Sequence, residues 1–276
     1  MASLEVSAGP LNYRDTGGPG PVLIFTGGLL MNGTLWHRVV TELADQYRCI
    51  TLTLPLGGHP TPMHADADLS LRGIARLVSE FAEALDLSAV TWVQNDWGGA
   101  QVLIATGDTS RISRLVLTSC EAFDNYPPSV ARPIVALAHV PGGLRMVMTA
   151  LRLRRVRRIA GWGAMSKRPV PREVMDDWFA PATNIPEIRR DLAKYLTSTT
   201  PNATLLAWAD RSADFTGPVL IAWAREDKVM PVEHGRRLAE LFPNARLVEI
   251  DDSYTLLPHD QPAVLAAAIR TFLEET

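Results

Sequence analysis

Short runs of apolar and β-branched residues recur along the chain, separated by longer segments whose apolar positions return every three or four residues. The short runs are "PVLIFT" (21–26), "RCITLTL" (48–54), "AVTWVQ" (89–94), "RLVLTS" (114–119), "PVLIAWA" (218–224) and "ARLVEI" (245–250). Runs this short and this continuously apolar predict strands covered on both faces. The longer segments, near 35–46, 70–86, 98–107, 232–242 and 261–274, predict helices. Their alternation predicts the α/β class, with a mostly parallel central sheet flanked by helices. The alternation breaks from about 122 to 214, where Arg, Pro and Trp are frequent and no strand-like run occurs. This predicts a core of residues 1–121 and 215–276, with a helical cap of residues 122–214 inserted before the last two strands.

Composition narrows the setting. A chain of 276 residues that is 47% hydrophobic can bury the core of one large α/β domain with an insertion. Its net charge of −3 gives no reason to expect a nucleic-acid partner. The basic run "LRLRRVRR" (151–158) reads as a solvated helix face in preference to an anion-binding patch. No uninterrupted apolar window of about eighteen residues occurs, and the start "MASLEVSAGP" lacks a basic segment followed by an apolar one. The expectation is therefore a cytoplasmic protein with no membrane partner, monomeric or homodimeric. Cys49 and Cys120 each fall in a strand-like run and read as buried free thiols. Neither a metal-ligand cluster nor a phosphate or dinucleotide fingerprint is present in the sequence, so no cofactor is expected.

The stretch "WVQNDWGGAQ" (92–101) carries the chemistry. Asp96 stands between a predicted strand and a helix opened by Gly98 and Gly99, the context of a nucleophile elbow. Gln94 occupies the position two before it, where that motif has glycine. The neighbouring helix N-terminus predicts an ionised carboxylate. Aspartate is also a good helix N-cap, so the residue type alone fits both roles.

On these residues the chain resembles the α/β-hydrolase fold, and within it the haloalkane dehalogenase and epoxide hydrolase branch with its Asp-Trp-Gly elbow. The resemblance covers roughly 20–126 and 214–275. "FTGGLLMNGTLWHRV" (25–39) resembles the oxyanion loop and "LPLGGHPTP" (54–62) the loop after the next strand. "AREDKVMPVEHGRRLAELFPNA" (224–245) resembles the segment that delivers the triad acid, placing it on Asp227, and "HDQPAVLAAAIRTFL" (259–273) resembles the closing helix. The resemblance implies that Asp96 attacks a saturated carbon and forms an alkyl ester, later hydrolysed at its own carbonyl. Backbone N–H groups of Leu29 and Trp97 would stabilise that second step. The Trp97 indole would hold a leaving group or simply line an apolar pocket.

The same resemblance exposes departures. Its catalytic histidine falls on Thr255, beside Tyr254, in "DDSYTLLPHDQP", and a threonine is no base near neutral pH. Gly27 stands where the family has histidine, and Leu29 where many dehalogenases have asparagine. His59 and His259 are the histidines whose positions suit a substitute. Glu121, in "SCEAF", follows the strand after which some dehalogenases place their acid. If Asp96, Glu121 and Asp227 share an enclosed site without a cation, like charges raise at least one pKa, leaving one carboxyl as acid and another as base.

Three readings follow. One is a hydrolase or dehalogenase-like enzyme with Asp96 as nucleophile and an unassigned base. Another is a non-hydrolytic enzyme in which Asp96 and Glu121 catalyse an elimination, isomerisation or cyclisation. The third is a small-molecule-binding protein that has kept the fold and lost catalysis. Trp162, Trp178, Trp208, Met146, Met148, Met165 and Met175 give the inserted segment an apolar repertoire suited to a hydrophobic small-molecule substrate.

Overall fold

The computed structural model describes residues 1–106, 109–159 and 162–276. Eight strands form one sheet: β1 (Ala2–Val6), β2 (Gly9–Asp15), β3 (Val22–Thr26), β4 (Arg48–Thr53), β5 (Val90–Asp96), β6 (Ile112–Cys120), β7 (Val219–Ala224) and β8 (Ala245–Ile250). Their order across the sheet is β1-β2-β4-β3-β5-β6-β7-β8. Pairing is antiparallel from β1 to β2 and from β2 to β4, and parallel everywhere else. The helices are α1 (His37–Leu43), α2 (Leu71–Ala84), α3 (Gly99–Thr106), α4 (Arg132–Ala138), α5 (Gly143–Ala150), α6 (Arg154–Ile159), α7 (Arg172–Asn184), α8 (Pro186–Thr197), α9 (Asn202–Asp210), α10 (Val232–Leu241), α11 (Leu257–Asp260) and α12 (Pro262–Glu275).

The six runs read as strands are strands, and every residue of β5 is buried, as a run covered on both faces requires. The hairpin β1–β2 was not foreseen. In β1 the half-buried Leu4 and Val6 flank exposed Glu5, and in β2 Leu11 is followed by Asn12, Arg14 and Asp15, so no continuous apolar run marks either strand. Gly107, the last residue of the helix expected over 98–107, lies outside the described residues. Between β6 and β7 the described elements are helical, α4 to α9 with short 3-10 turns. Within the basic run, Arg157 corrects the expectation of a wholly solvated face: it is buried, paired with Asp176 at 2.5 Å and set 4.8 Å over the Phe179 ring.

The inserted helices are fastened to the rest of the chain by polar contacts, of which those of Asp191 are buried. Asp191 on α8 is fully buried; it accepts the Met63 N–H at 2.8 Å and lies 3.3 Å from His59 Nε2. Beside it Arg190 donates to the Met63 carbonyl at 2.6 Å, and Lys194 donates to the carbonyls of Ala65 and Ala67. On α7, Asp177 accepts from Asn32 Nδ2 at 2.6 Å, and Trp178 Nε1 donates to Thr34 Oγ1 at 2.8 Å. Because β3, β5, β6, β7 and β8 run parallel, the residues after them emerge along one edge of the sheet. Leu29, Asp96, Glu121, Asp227 and Thr255 all belong to those ends.

Candidate active site

Asp96 closes β5 with φ of +66°, the left-handed region that disfavours most side chains and is tolerated by Asp and Asn. Tight neighbours hold it there. The Trp97 N–H returns to the Asn95 carbonyl at 2.8 Å, and the Glu121 N–H donates to the Asp96 carbonyl at 2.8 Å. A Cβ on Gly98 would lie 2.4 Å from the Glu121 carbonyl oxygen, and one on Gly28 only 1.8 Å from Asp96 Oδ2. Gln94, at the motif's other glycine position, is fully buried. Its Oε1 accepts the Ala100 N–H at 2.9 Å, stitching the strand to the first turn of α3.

Among the described residues the carboxylate itself has one hydrogen bond, from the Leu29 N–H at 3.3 Å. Burial pushes its pKa from 3.8 up to about 7; the Leu29 N–H opposes the rise and the charge of Asp227 adds to it. Burial thus opposes the ionised form expected from the neighbouring helix end. The Trp97 N–H is engaged by the Asn95 carbonyl, and among the described residues the backbone donor to the Asp96 carboxylate is Leu29.

Asp227 and Thr255 meet. Asp227 Oδ1 accepts the N–H groups of Val229 and Met230, each at 2.9 Å, and the Thr255 hydroxyl at 2.8 Å. Its Oδ2 has no hydrogen-bond partner among the described residues. Burial raises the Asp227 pKa, and the Met230 and Val229 N–H groups with the Thr255 hydroxyl ease that rise. Thr255 is fully buried, and its carbonyl accepts Asn95 Nδ2 at 2.7 Å. A hydroxyl pointing its proton at the acid thus occupies the position where the resemblance places an imidazole.

The other candidates lie elsewhere. Tyr254 faces Lys228 and Lys167, whose ammonium groups sit 4.3 and 5.5 Å from its ring centre. His59 accepts the Gly57 N–H on Nδ1 and turns Nε2 to Asp191; burial lowers its pKa despite that carboxylate. The His259 carbonyl accepts from Arg38, and burial lowers the pKa of its ring. None of the three lines the cavity above Asp96.

That cavity measures about 780 Å³. Asp96, Trp97, Leu29 and Glu121 form its floor, and the inserted helices supply apolar walls that include Ile134, Val147, Leu151, Trp162, Met165 and Leu196. Of the Trp and Met side chains singled out in the sequence, Trp162, Met146 and Met165 line it, whereas Trp178 is buried in the packing of α7. Tyr126 and Tyr195, ring centres 6.4 Å apart, add hydroxyls near Glu121; sequence reasoning missed them because an aromatic in a helix-rich segment carries no positional signal. Two buried polar atoms on the floor have no partner among the described residues, Glu121 Oε2 and Trp97 Nε1. Burial, then the charge of Asp96, pushes the Glu121 pKa well above the usual carboxylate range. No Lys, Arg or His is among the described residues lining the cavity, so no cation in its lining offsets the charge of Asp96 or Glu121.

Comparison with known proteins agrees with this architecture. Residues 21–262 match the model of the alpha/beta hydrolase fold family. The chain is 28% identical to the cis-3-alkyl-4-alkyloxetan-2-one decarboxylase of Xanthomonas campestris, over 98% of this chain and 95% of that one. It is 26% identical to haloalkane dehalogenase 2 of Mycobacterium bovis, over 96% and 92% respectively. The structure matches that of a haloalkane dehalogenase described as ancestral with a TM-score of 0.79 at 19% identity, covering 100% of this chain and 99% of that one. Epoxide hydrolases are also among its structural neighbours. The chain belongs to the alpha/beta hydrolase fold family.

Proposed function

We propose that this chain is an enzyme in which the Asp96 carboxylate attacks a saturated carbon of a hydrophobic small molecule, and that the resulting ester breaks down without water. The observation that carries this reading is Thr255: a buried hydroxyl bound to Asp227 stands where hydrolytic relatives need a base. Residues 122–214 act as the cap over a core of residues 1–121 and 215–276, and the apolar walls suit an alkyl-bearing substrate.

A β-lactone of the kind named for the Xanthomonas relative fits such chemistry. Attack of Asp96 on ring carbon 4 breaks its bond to the ring oxygen, which leaves as part of a carboxylate. Loss of carbon dioxide from carbon 3 then supplies the electron pair of a C3–C4 double bond and expels Asp96. Alkene, carbon dioxide and the free aspartate account for every atom, and no water is consumed. With its pKa raised well above the usual range, Glu121 can donate to the departing oxygen, as can the unpartnered indole N–H groups of Trp97 and Trp162.

The test is to incubate the protein and its Asp96→Asn variant with cis-3,4-dialkyl oxetan-2-ones in heavy-oxygen water and to analyse products by mass spectrometry. Alkene from the parent alone is expected. A hydroxy acid carrying solvent oxygen would overturn water-free release, and undiminished alkene from Asp96→Asn would remove the nucleophile. A second reading, halide displacement, is favoured by the dehalogenase relative and by the free Trp97 Nε1. It predicts a stable alkyl adduct on Asp96 from 1-haloalkanes, released as alcohol once Thr255→His restores a base.

A further inference from the structure

Residues 125–172 contain ten lysines and arginines and no aspartate or glutamate, in a chain whose net charge is −3. Half of those cations are engaged. Arg157 and Arg172 pair with Asp176, Lys167 and Arg168 pair with Asp252, and Arg152 donates to the end of α7. The side chains of Arg132, Arg145, Arg154, Arg155 and Arg158 are exposed and carry no ion pair or hydrogen bond among the described residues. They sit on α4, α5 and α6, close to apolar side chains that are also exposed: Val140 (53%), Met146 (59%) and Leu153 (64%). An arginine beside an unburied leucine or methionine, repeated over packed helices, is not the composition of an inert solvated face.

The cavity reaches the surface at the same place. Pro133 and Met146 line the cavity and are themselves exposed, and each directly follows one of the unpaired arginines, Arg132 and Arg145. The mouth of an apolar chamber is therefore rimmed by free guanidinium groups and bare apolar side chains.

We propose that this face docks on an anionic membrane surface, with the cavity opening toward the lipid. Guanidinium groups match lipid phosphates in geometry as well as charge, while Val140, Met146 and Leu153 reach the boundary between headgroups and acyl chains. An acidic protein would satisfy the arginines but leaves the exposed apolar side chains and the adjacent cavity mouth without purpose. No helix among the described residues is long and apolar enough to cross a membrane, so the association is peripheral. A hydrophobic substrate dissolved in the bilayer would enter the cavity without crossing water. The expectation of no membrane partner changes accordingly, and the proposal stands whichever bond Asp96 breaks.

The test is co-sedimentation of the full chain with phosphatidylcholine vesicles, with and without phosphatidylglycerol, at low ionic strength. Each arginine near an anionic surface is worth roughly fivefold in partitioning. The variant Arg154→Glu/Arg155→Glu/Arg158→Glu should thus bind anionic vesicles at least about a hundredfold more weakly than the parent. A control with the same change in net charge, Arg14→Glu/Arg72→Glu/Lys228→Glu, should retain most binding. Met146→Ser/Leu153→Ser should weaken vesicle binding and leave binding to poly-glutamate unchanged. Thermal melts confirm that each variant folds. The proposal is overturned if the parent ignores anionic vesicles, or if patch and control variants lose binding equally. It also falls if the Met146/Leu153 variant binds vesicles as tightly as the parent, which would make the face a site for acidic macromolecules.

Discussion

Asp96 gains little from being folded. Its carboxylate leaves water for one long hydrogen bond from Leu29, in a backbone conformation that disfavours most side chains. A pKa raised from 3.8 to about 7 corresponds to about 4 kcal/mol by which the folded state disfavours the charged form. The sign follows from linkage: the penalty is absent below pH 3.8, grows as pH rises, and is complete above about 7. Asp96→Asn keeps the shape and tolerates the left-handed conformation, so it should stabilise the protein, by more at pH 8 than at pH 5, as read by urea denaturation. Equal effects at both pH values would show that the parent carboxylate is not desolvated. Because attack needs the ionised form, kcat/KM should rise about tenfold between pH 6 and pH 8. The position of Asp96 was legible because a strand, a sharp turn and two glycines bracket it. Its ionisation was not, since the groups that exclude water come from helices that are distant in sequence.

At the scale of elements, α8 decides whether the cavity has a wall, because Tyr195 and Leu196 on that helix line it. One buried carboxylate anchors the helix. Burial alone would raise the Asp191 pKa, yet bonds from His59, the Met63 N–H and Arg190 bring it below the usual value. Asp191→Ala would orphan those donors and should cost about 3 kcal/mol, measured as a lower urea midpoint. A change within about 0.5 kcal/mol, the range of ordinary surface substitutions, would mean that α8 is held by apolar packing alone. His59 adds a pH dependence. Its folded pKa lies below 6.5, so the unfolded chain binds the extra proton and stability declines as pH falls below 6.5. Sequence reasoning placed His59 in the correct loop but could not see its partner, 132 residues away. The same blindness to long-range pairing hid the Arg157–Asp176 contact, whereas Thr255 and Asp227 were singled out by the family resemblance of their segments rather than by the apolar pattern.

Across the whole molecule, the sheet edge and the inserted helices enclose a chamber whose walls are largely apolar, with polar side chains on the floor and along Ser198, Thr199, Thr200 and Asn202. Affinity for a homologous series of alkyl ligands should therefore climb about fourfold per added CH₂ and level off once the chamber is full. Titration followed by tryptophan fluorescence reads this directly, since Trp97 and Trp162 line the cavity. An affinity independent of chain length would place the ligand outside it. The fold class was readable from alternation alone; the chamber was not, because it depends on how two distant stretches of chain face each other.

The concentration of cations in one segment has a further effect on how molecules meet. With ten positive charges in residues 125–172 and a total of −3, the remainder carries −13. Half of those cations are engaged outside the segment, four of them with acids, which leaves the unpaired arginines of α4, α5 and α6 as the charge asymmetry that a neighbouring molecule meets. In dilute buffer, neighbouring molecules should orient head to tail and attract, and added salt should disperse them as the Debye length shrinks.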